Sequence, residues 1–299
     1  MRIAFVGECM IELRDAPTTG IRQHYAGDTL NAAVYFCRQV GNASHQADYI
    51  TAIGTDRFSE GMLQFWRQEN VGCAKVRQLK DKVPGLYYIT VDATGERSFT
   101  YWRNDSAARH MFSGADGQDL LAALDAYDGV YLSGITLAIL ANTALDALVA
   151  RLELFHAQGG KIYFDTNFRP ALWPDLAVAQ AWYKRLLALC DIAFLTLEDE
   201  QLLFATPTPQ AILQRCAGIG VPELVIKCGR EPCIIRHQGQ VLSIPAVPVA
   251  RVVDTTAAGD AFSGAYLAER LKGATPVQAA QAAHAVAAKV IGISGAFGV

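Results

Sequence analysis

Residues 252–267 read VVDTTAAGDAFSGAYL, a polar turn of small residues that runs straight into a helix-like pattern. Small side chains at 257–259 let the backbone N–H groups of Ala257, Ala258 and Gly259 approach an anion closely. The positive end of a helix dipole adds attraction at the same place. The stretch therefore reads as a phosphate site at a helix start, with Asp260 beside the donors. A carboxylate in a first helical turn is also what ordinary capping would put there, so the aspartate alone decides nothing.

On the N-terminal side of this turn, strand-like apolar runs at 3–6, 49–53, 130–132, 162–164, 192–195 and 224–226 alternate with amphipathic stretches such as 143–156. That alternation predicts an α/β fold, a mostly parallel central sheet with helices on both faces. Two places break the rhythm. Residues 8–13 extend where a helix is due, and 86–103 reads as a hairpin turned at Ala93-Thr94-Gly95. They predict a small projecting β-sheet, a lid formed by 8–16 and 72–106 within a single domain covering 1–299. The alanine-rich stretch 274–291 predicts a tightly packed helix.

No GxxxxGK[ST] occurs, and no strand is followed by a full GxGxxG, which argues against Walker-type and dinucleotide-binding loops. Gly218-Ile219-Gly220 reads as a helix stop before Val221-Pro222. With 52% hydrophobic and 18% charged residues over 299 positions, the chain has material for a full core and disorder is not expected. A formal net charge of −3 gives no footprint for nucleic acid or an acidic membrane surface. The opening MRIAFVGECM reads as a first strand, not a signal peptide, and no segment reaches transmembrane length. Seven scattered cysteines without a CxxC pair read as small buried hydrophobes in a reducing cytoplasm. The six histidines show no ligand spacing.

The run Asp254-Thr255-Thr256-Ala257-Ala258-Gly259-Asp260 resembles the C-terminal signature of the ribokinase-like (PfkB) carbohydrate kinases. GECMIEL, GDTLN, PGLYY, GERSFTYWRN, YLSGI and FLTLEDE extend that resemblance along the chain, closest to the deoxygluconate kinases. The resemblance implies a ribokinase-like fold and transfer of the γ-phosphoryl of ATP to the terminal hydroxyl of 2-keto-3-deoxygluconate. It makes Asp260 the base, and the backbone of Ala257, Ala258, Gly259 and Asp260 the anion hole. Ala257 stands where many relatives have glycine. Phosphoryl transfer suits such a site, because it needs mainly positioning and neutralisation of oxygen charge.

By the same resemblance Gly27, Asp28 and Asn31 form the sugar-binding motif, with Ala26 in place of its first glycine. A carboxylate and a carboxamide near one helical turn apart can reach adjacent hydroxyls. In the hairpin, Tyr88, Tyr101 and Arg103 are expected to close over the sugar, whereas Tyr87 and Trp102 read as cross-strand packing. Arg169 suits a carboxylate through two parallel hydrogen bonds and, with Asn167, reaches the sugar or the nucleotide phosphates. Asp165 reads as a strand-end residue serving local backbone. Lys227 and Gly229 align with the nucleotide loop. Thr196–Asp199 departs from the relatives' NxxE, which leaves the ligands of the expected Mg2+ unassigned; Glu198 and Glu200 read as solvated helix residues. A homodimer through the lid is implied. A fructokinase, and a catalytically silent sugar-binding protein on the same fold, remain the alternatives.

Overall fold

A computed structural model describes residues 1–16, 20–41, 45–91 and 97–298. The turn expected at 93–95 lies outside the described residues. In chain order the first half comprises β1 (Arg2–Val6), β2 (Met10–Ala16), β3 (Gly20–Ala26), α1 (Asp28–Val40), β4 (Gln46–Ile50), β5 (Ala52–Ile53), α2 (Arg57–Gln68), β6 (Arg77–Gln78), β7 (Leu86–Val91), β8 (Arg97–Trp102), α3 (Gly114–Ala122), β9 (Gly129–Ser133), α4 (Gly134–Ile139) and α5 (Asn142–Ala157). The second half adds β10 (Lys161–Asp165), α6 (Leu176–Leu187), β11 (Ile192–Thr196), α7 (Leu197–Phe204), α8 (Pro209–Cys216), β12 (Glu223–Lys227), β13 (Cys233–His237), β14 (Gln240–Ile244), α9 (Ala258–Leu271) and α10 (Pro276–Ile291).

Eight strands form the main sheet in the order β14-β13-β12-β11-β10-β9-β1-β4, parallel from β12 to β4 and antiparallel through β13 and β14. The parallel strands are continuous apolar runs because both faces are covered. Alternation within each strand then divides the core. Ala4, Val6, Leu132, Phe164, Leu195 and Ile226 point to one side, against α3 to α8. Ile3, Phe5, Tyr131, Tyr163, Phe194 and Val225 point to the other, against α1, α2, α9 and α10. The chain runs from β1 outward to β4 and returns to β9 on the other flank, so a crevice opens at the carboxyl ends of β1 and β9, where such sheets bind ligands.

The alternating α/β pattern and the helices at 143–156 and 274–291 are as the sequence reads, with three differences. The run 49–53 splits at Thr51: β4 stays in the main sheet while β5 pairs with β6. Residues 233–244 form a hairpin whose two-residue turn places Gln238 at φ 50° and Gly239 at φ 75°, both in the left-handed region that such turns require. The small sheet has four strands, β3-β2-β7-β8. It thus includes 20–26, which carries too little apolar alternation to read as a strand, and excludes 72–85. All seven cysteines are free, six of them buried. Among the described residues no helix is long and apolar enough to cross a membrane.

Candidate active site

Helices α1 and α9 meet almost backbone to backbone. A Cβ at Gly264 would lie 2.2 Å from the carbonyl oxygen of Ala32, so only glycine permits this approach. At the N-terminal end of the contact, Asn31 Nδ2 donates to Asp260 Oδ2 at 2.8 Å. Gly27 holds the entrance to α1 equally close, because a Cβ there would lie 2.1 Å from the Glu8 carbonyl oxygen that follows β1. The motif at 27–31 and the turn at 254–260, far apart in sequence, thus share one crevice floor.

No side chain caps α9. Its Ncap is Ala257 at φ 61° and ψ 4°, a left-handed conformation that costs a residue with a Cβ about 1 kcal/mol. This conformation is one that glycine adopts without strain, and with no side-chain cap the Gly259 and Asp260 amides are left for an anion, while the Ala258 amide donates to the Thr255 carbonyl at 3.3 Å. Lys227 Nζ lies beneath that turn, 3.5 Å from where a Cβ on Gly259 would stand. It is held there by Asp165 Oδ2 at 2.7 Å and Ser263 Oγ at 3.2 Å. Asp165 also accepts from Ser263 at 2.8 Å and from Tyr131 at 3.4 Å, while its Oδ1 is buried without a partner. The aspartate expected to serve local backbone is therefore the counter-ion of the site's lysine. Its signal was available: two parallel strands on either side of β11, KIYFD and ELVIK, end on opposite charges.

Around this pair stand Asp260 and Asp28. Burial and the neighbouring Asp28 push the Asp260 carboxyl up to about 7, Asp165 adds to the shift, and Asn31 and Lys227 oppose it. Burial also raises Asp28, opposed by Ser133, the Thr29 amide and the charge of Arg169. Both carboxylates are only half-buried, so the floor of the crevice stays open to an incoming hydroxyl. A carboxyl poised near neutrality beside uncapped amides has the properties of a general base at a phosphoryl-transfer centre.

Asn167 Nδ2 donates to Asp28 Oδ2 at 3.1 Å, which places this residue beside Asp28 in the crevice. Arg169 is half exposed, donates to the Phe168 carbonyl at 3.0 Å, and lies 3.7 Å from Asp199. Gly229, at φ 61°, sits in an open turn.

The lid requires corrections. Arg103 is buried and its guanidinium is engaged by Glu8, which also accepts from Ser106, so its charge is already neutralised. Tyr88 and Tyr101 cannot share a site within one chain. Tyr101 pairs across the hairpin with Tyr87, and Tyr88 with Thr100, so the two point to opposite faces of the sheet. The Tyr87 face carries Glu12 and Arg14, and Arg14 reaches Asp254 in the turn before α9. This face is the one turned toward the site, with the Tyr87 and Tyr101 rings 5.8 Å apart. Tyr88 instead donates to Asp15 on the other face. Finally, Glu200 is fully buried and paired with Arg215, contrary to its reading as solvated; Glu198 is exposed as expected.

Residues 1–297 match the model of the pfkB family carbohydrate kinases. The chain belongs to this family. It is 45% identical over 297 residues to the 2-dehydro-3-deoxygluconokinase of Dickeya dadantii (strain 3937), covering 98% of this chain and 96% of that protein. It is 43% identical over 298 residues to the protein of the same name from Escherichia coli (strain K12), covering 99% and 96%. In fold it resembles the 2-dehydro-3-deoxygluconokinase of Thermotoga maritima, with a TM-score of 0.86 at 19% identity over 99% of this chain and 94% of the other. Kinases of this family use ATP as the phosphoryl donor.

Proposed function

We propose that this PfkB kinase transfers the γ-phosphoryl of ATP to the terminal hydroxyl of 2-keto-3-deoxygluconate, producing the 6-phosphate. The observation that supports it most is the meeting of Asp260 with Asn31 and the uncapped start of α9, in a chain over 40% identical along its length to two kinases named for this substrate. Asp28 and Asn31 bind sugar hydroxyls, and Gly27 lets the chain pass close enough to present them. Asp260 accepts the proton of the attacking hydroxyl as its oxygen bonds to phosphorus and the ADP oxygen leaves. The amides of Ala257, Ala258, Gly259 and Asp260 take up charge on the transferred group, with Lys227 beneath them. Gly229 borders the nucleotide, and Asn167 fixes Asp28 at the boundary between the two substrates.

A sugar acid needs a cation for its carboxylate. With Arg103 engaged by Glu8, the half-exposed Arg169 fills that role, while Tyr87 and Tyr101 cover the sugar from the lid. Among the described residues no three His, Cys, Asp or Glu side chains gather as a metal cage. Asp199 in the first turn of α7 offers a single carboxylate whose proton affinity burial raises. Such a donor set fits Mg2+ riding on nucleotide phosphates with most of its waters kept, where it would neutralise phosphate charge. The exposed Trp102, on the Tyr88 face of the lid, fits a homodimer formed through that sheet. Free thiols fit the reducing cytoplasm in which such a kinase would work.

The test is ATP-dependent turnover of 2-keto-3-deoxygluconate against fructose, with the product's phosphate position read by NMR. Higher kcat/KM on the keto-deoxy acid and a 6-phosphate are expected. Preferred turnover of fructose would overturn the substrate, and binding without turnover would point to a silent sugar-binding protein.

A further inference from the structure

Arg14 of β2 lies outside the crevice, yet it joins the lid to the anion-hole turn. Its Nε donates to Glu12 Oε1 at 2.9 Å, and Nη2 reaches the same oxygen. Glu12 is buried, and its other oxygen accepts from the Tyr87 hydroxyl. On the far side, Arg14 Nη1 donates to Asp254 Oδ2 at 3.3 Å and to Ser294 Oγ at 3.0 Å. Asp254 fixes the turn in front of α9: its Oδ1 accepts from the Thr256 amide at 2.9 Å, and its Oδ2 from the Gly295 amide at 3.0 Å. The Val253 and Asp254 amides both bond the Ile291 carbonyl at the end of α10.

An unbroken series of contacts thus runs from the Tyr101 ring through Tyr87, Glu12, Arg14 and Asp254 to the residues that precede Ala257. Ala257 is strained, and a left-handed non-glycine residue persists only where its surroundings over-determine it. Asp254 supplies that constraint, and the charge keeping the buried Asp254 in place belongs to the lid.

We propose that Arg14 is a positioning residue for phosphoryl transfer, clamping the anion-hole turn to the lid so that the first-turn amides of α9 are aimed only when the lid is seated. The proposal rests on the kinase reading. It assigns Arg14 no contact with sugar or nucleotide. Loss of Arg14 misplaces the amides, and a small misplacement in such a centre is felt in the chemical step more than in binding.

The test compares Arg14→Ala and Arg14→Lys with the wild-type chain, reading kcat and both KM values alongside thermal midpoints. For Arg14→Ala we expect kcat to fall about 10- to 100-fold, KM for ATP and sugar to move much less, and guanidinium ion at non-denaturing concentration to restore part of the rate. Arg14→Lys keeps the buried charge but cannot bridge Glu12, Asp254 and Ser294 together, so it should fold normally and still lose kcat. A kcat within twofold of wild type in folded Arg14→Lys and Arg14→Ala would overturn the proposal. So would a loss confined to KM. Should Arg14→Ala fail to fold, the Arg14→Lys kcat decides by the same criterion. An inactive wild-type chain would count against the kinase reading itself, separately from Arg14.

Discussion

The floor of the crevice and the lid above it are built on opposite plans. The floor is fixed by backbones: Gly264 lets α9 meet Ala32 of α1, Gly27 lets the chain pass Glu8, and the reacting groups follow from that contact. The lid is fixed by side chains alternating across four strands, where a shift of one residue moves a tyrosine from the site to the opposite face. On the proposed function, phosphoryl transfer falls on the part that tolerates least change, and the lid adds Tyr87 and Tyr101 to a sugar site whose other members, Asp28, Asn31 and Arg169, belong to the crevice.

The largest expected effect falls on the floor. Asp260→Asn should lower kcat by about 10²-fold or more while leaving sugar binding within a few-fold, measured by steady-state kinetics and calorimetry. Because the folded state raises the Asp260 carboxyl above its ordinary value, ionising it disfavours folding as pH rises from about 4 through 7. The same variant should therefore melt above wild type at pH 8 and lose that advantage toward pH 5. A melting difference independent of pH would show that the charge is not strained there.

Next comes the lid. Tyr101→Ala should raise KM for the sugar about tenfold, the scale of one lost contact of 1.4 kcal/mol, with little change in KM for ATP. Tyr88→Phe, on the other face, should change neither by more than about twofold. Equal effects from the two would break the distinction between the faces. The smallest effect belongs to Ala257→Gly. Relief of the left-handed strain and the added freedom of the unfolded chain nearly cancel, so the melting midpoint should move by only about 2 °C and kcat by less than twofold. A tenfold loss of kcat would show that the turn needs the stiffness alanine gives it.

The floor was legible in sequence and the lid largely was not. DTTAAGD and GDTLN announce themselves because small residues before a helix betray a close backbone approach, and their polar side chains stand at the helix start that follows. What sequence does not display is pairing across the chain. Nothing local marks Arg14 as the partner of Asp254, Arg103 as already neutralised by Glu8, or Glu200 as buried while its near neighbour Glu198 is exposed. The hairpin pattern was correct, but choosing Tyr88 over Tyr87 required knowing which face turns inward. That depends on the register of β7 with β2, set over more than seventy residues.

The central claim is that Asp260 is a base tuned by this crevice, and the pH dependence of kcat/KM for 2-keto-3-deoxygluconate tests it most directly. With Asp260 raised to about 7 by burial and by Asp28, kcat/KM should hold above that value and fall about tenfold per unit below it as the base is protonated. A profile flat down to pH 5 would contradict the account.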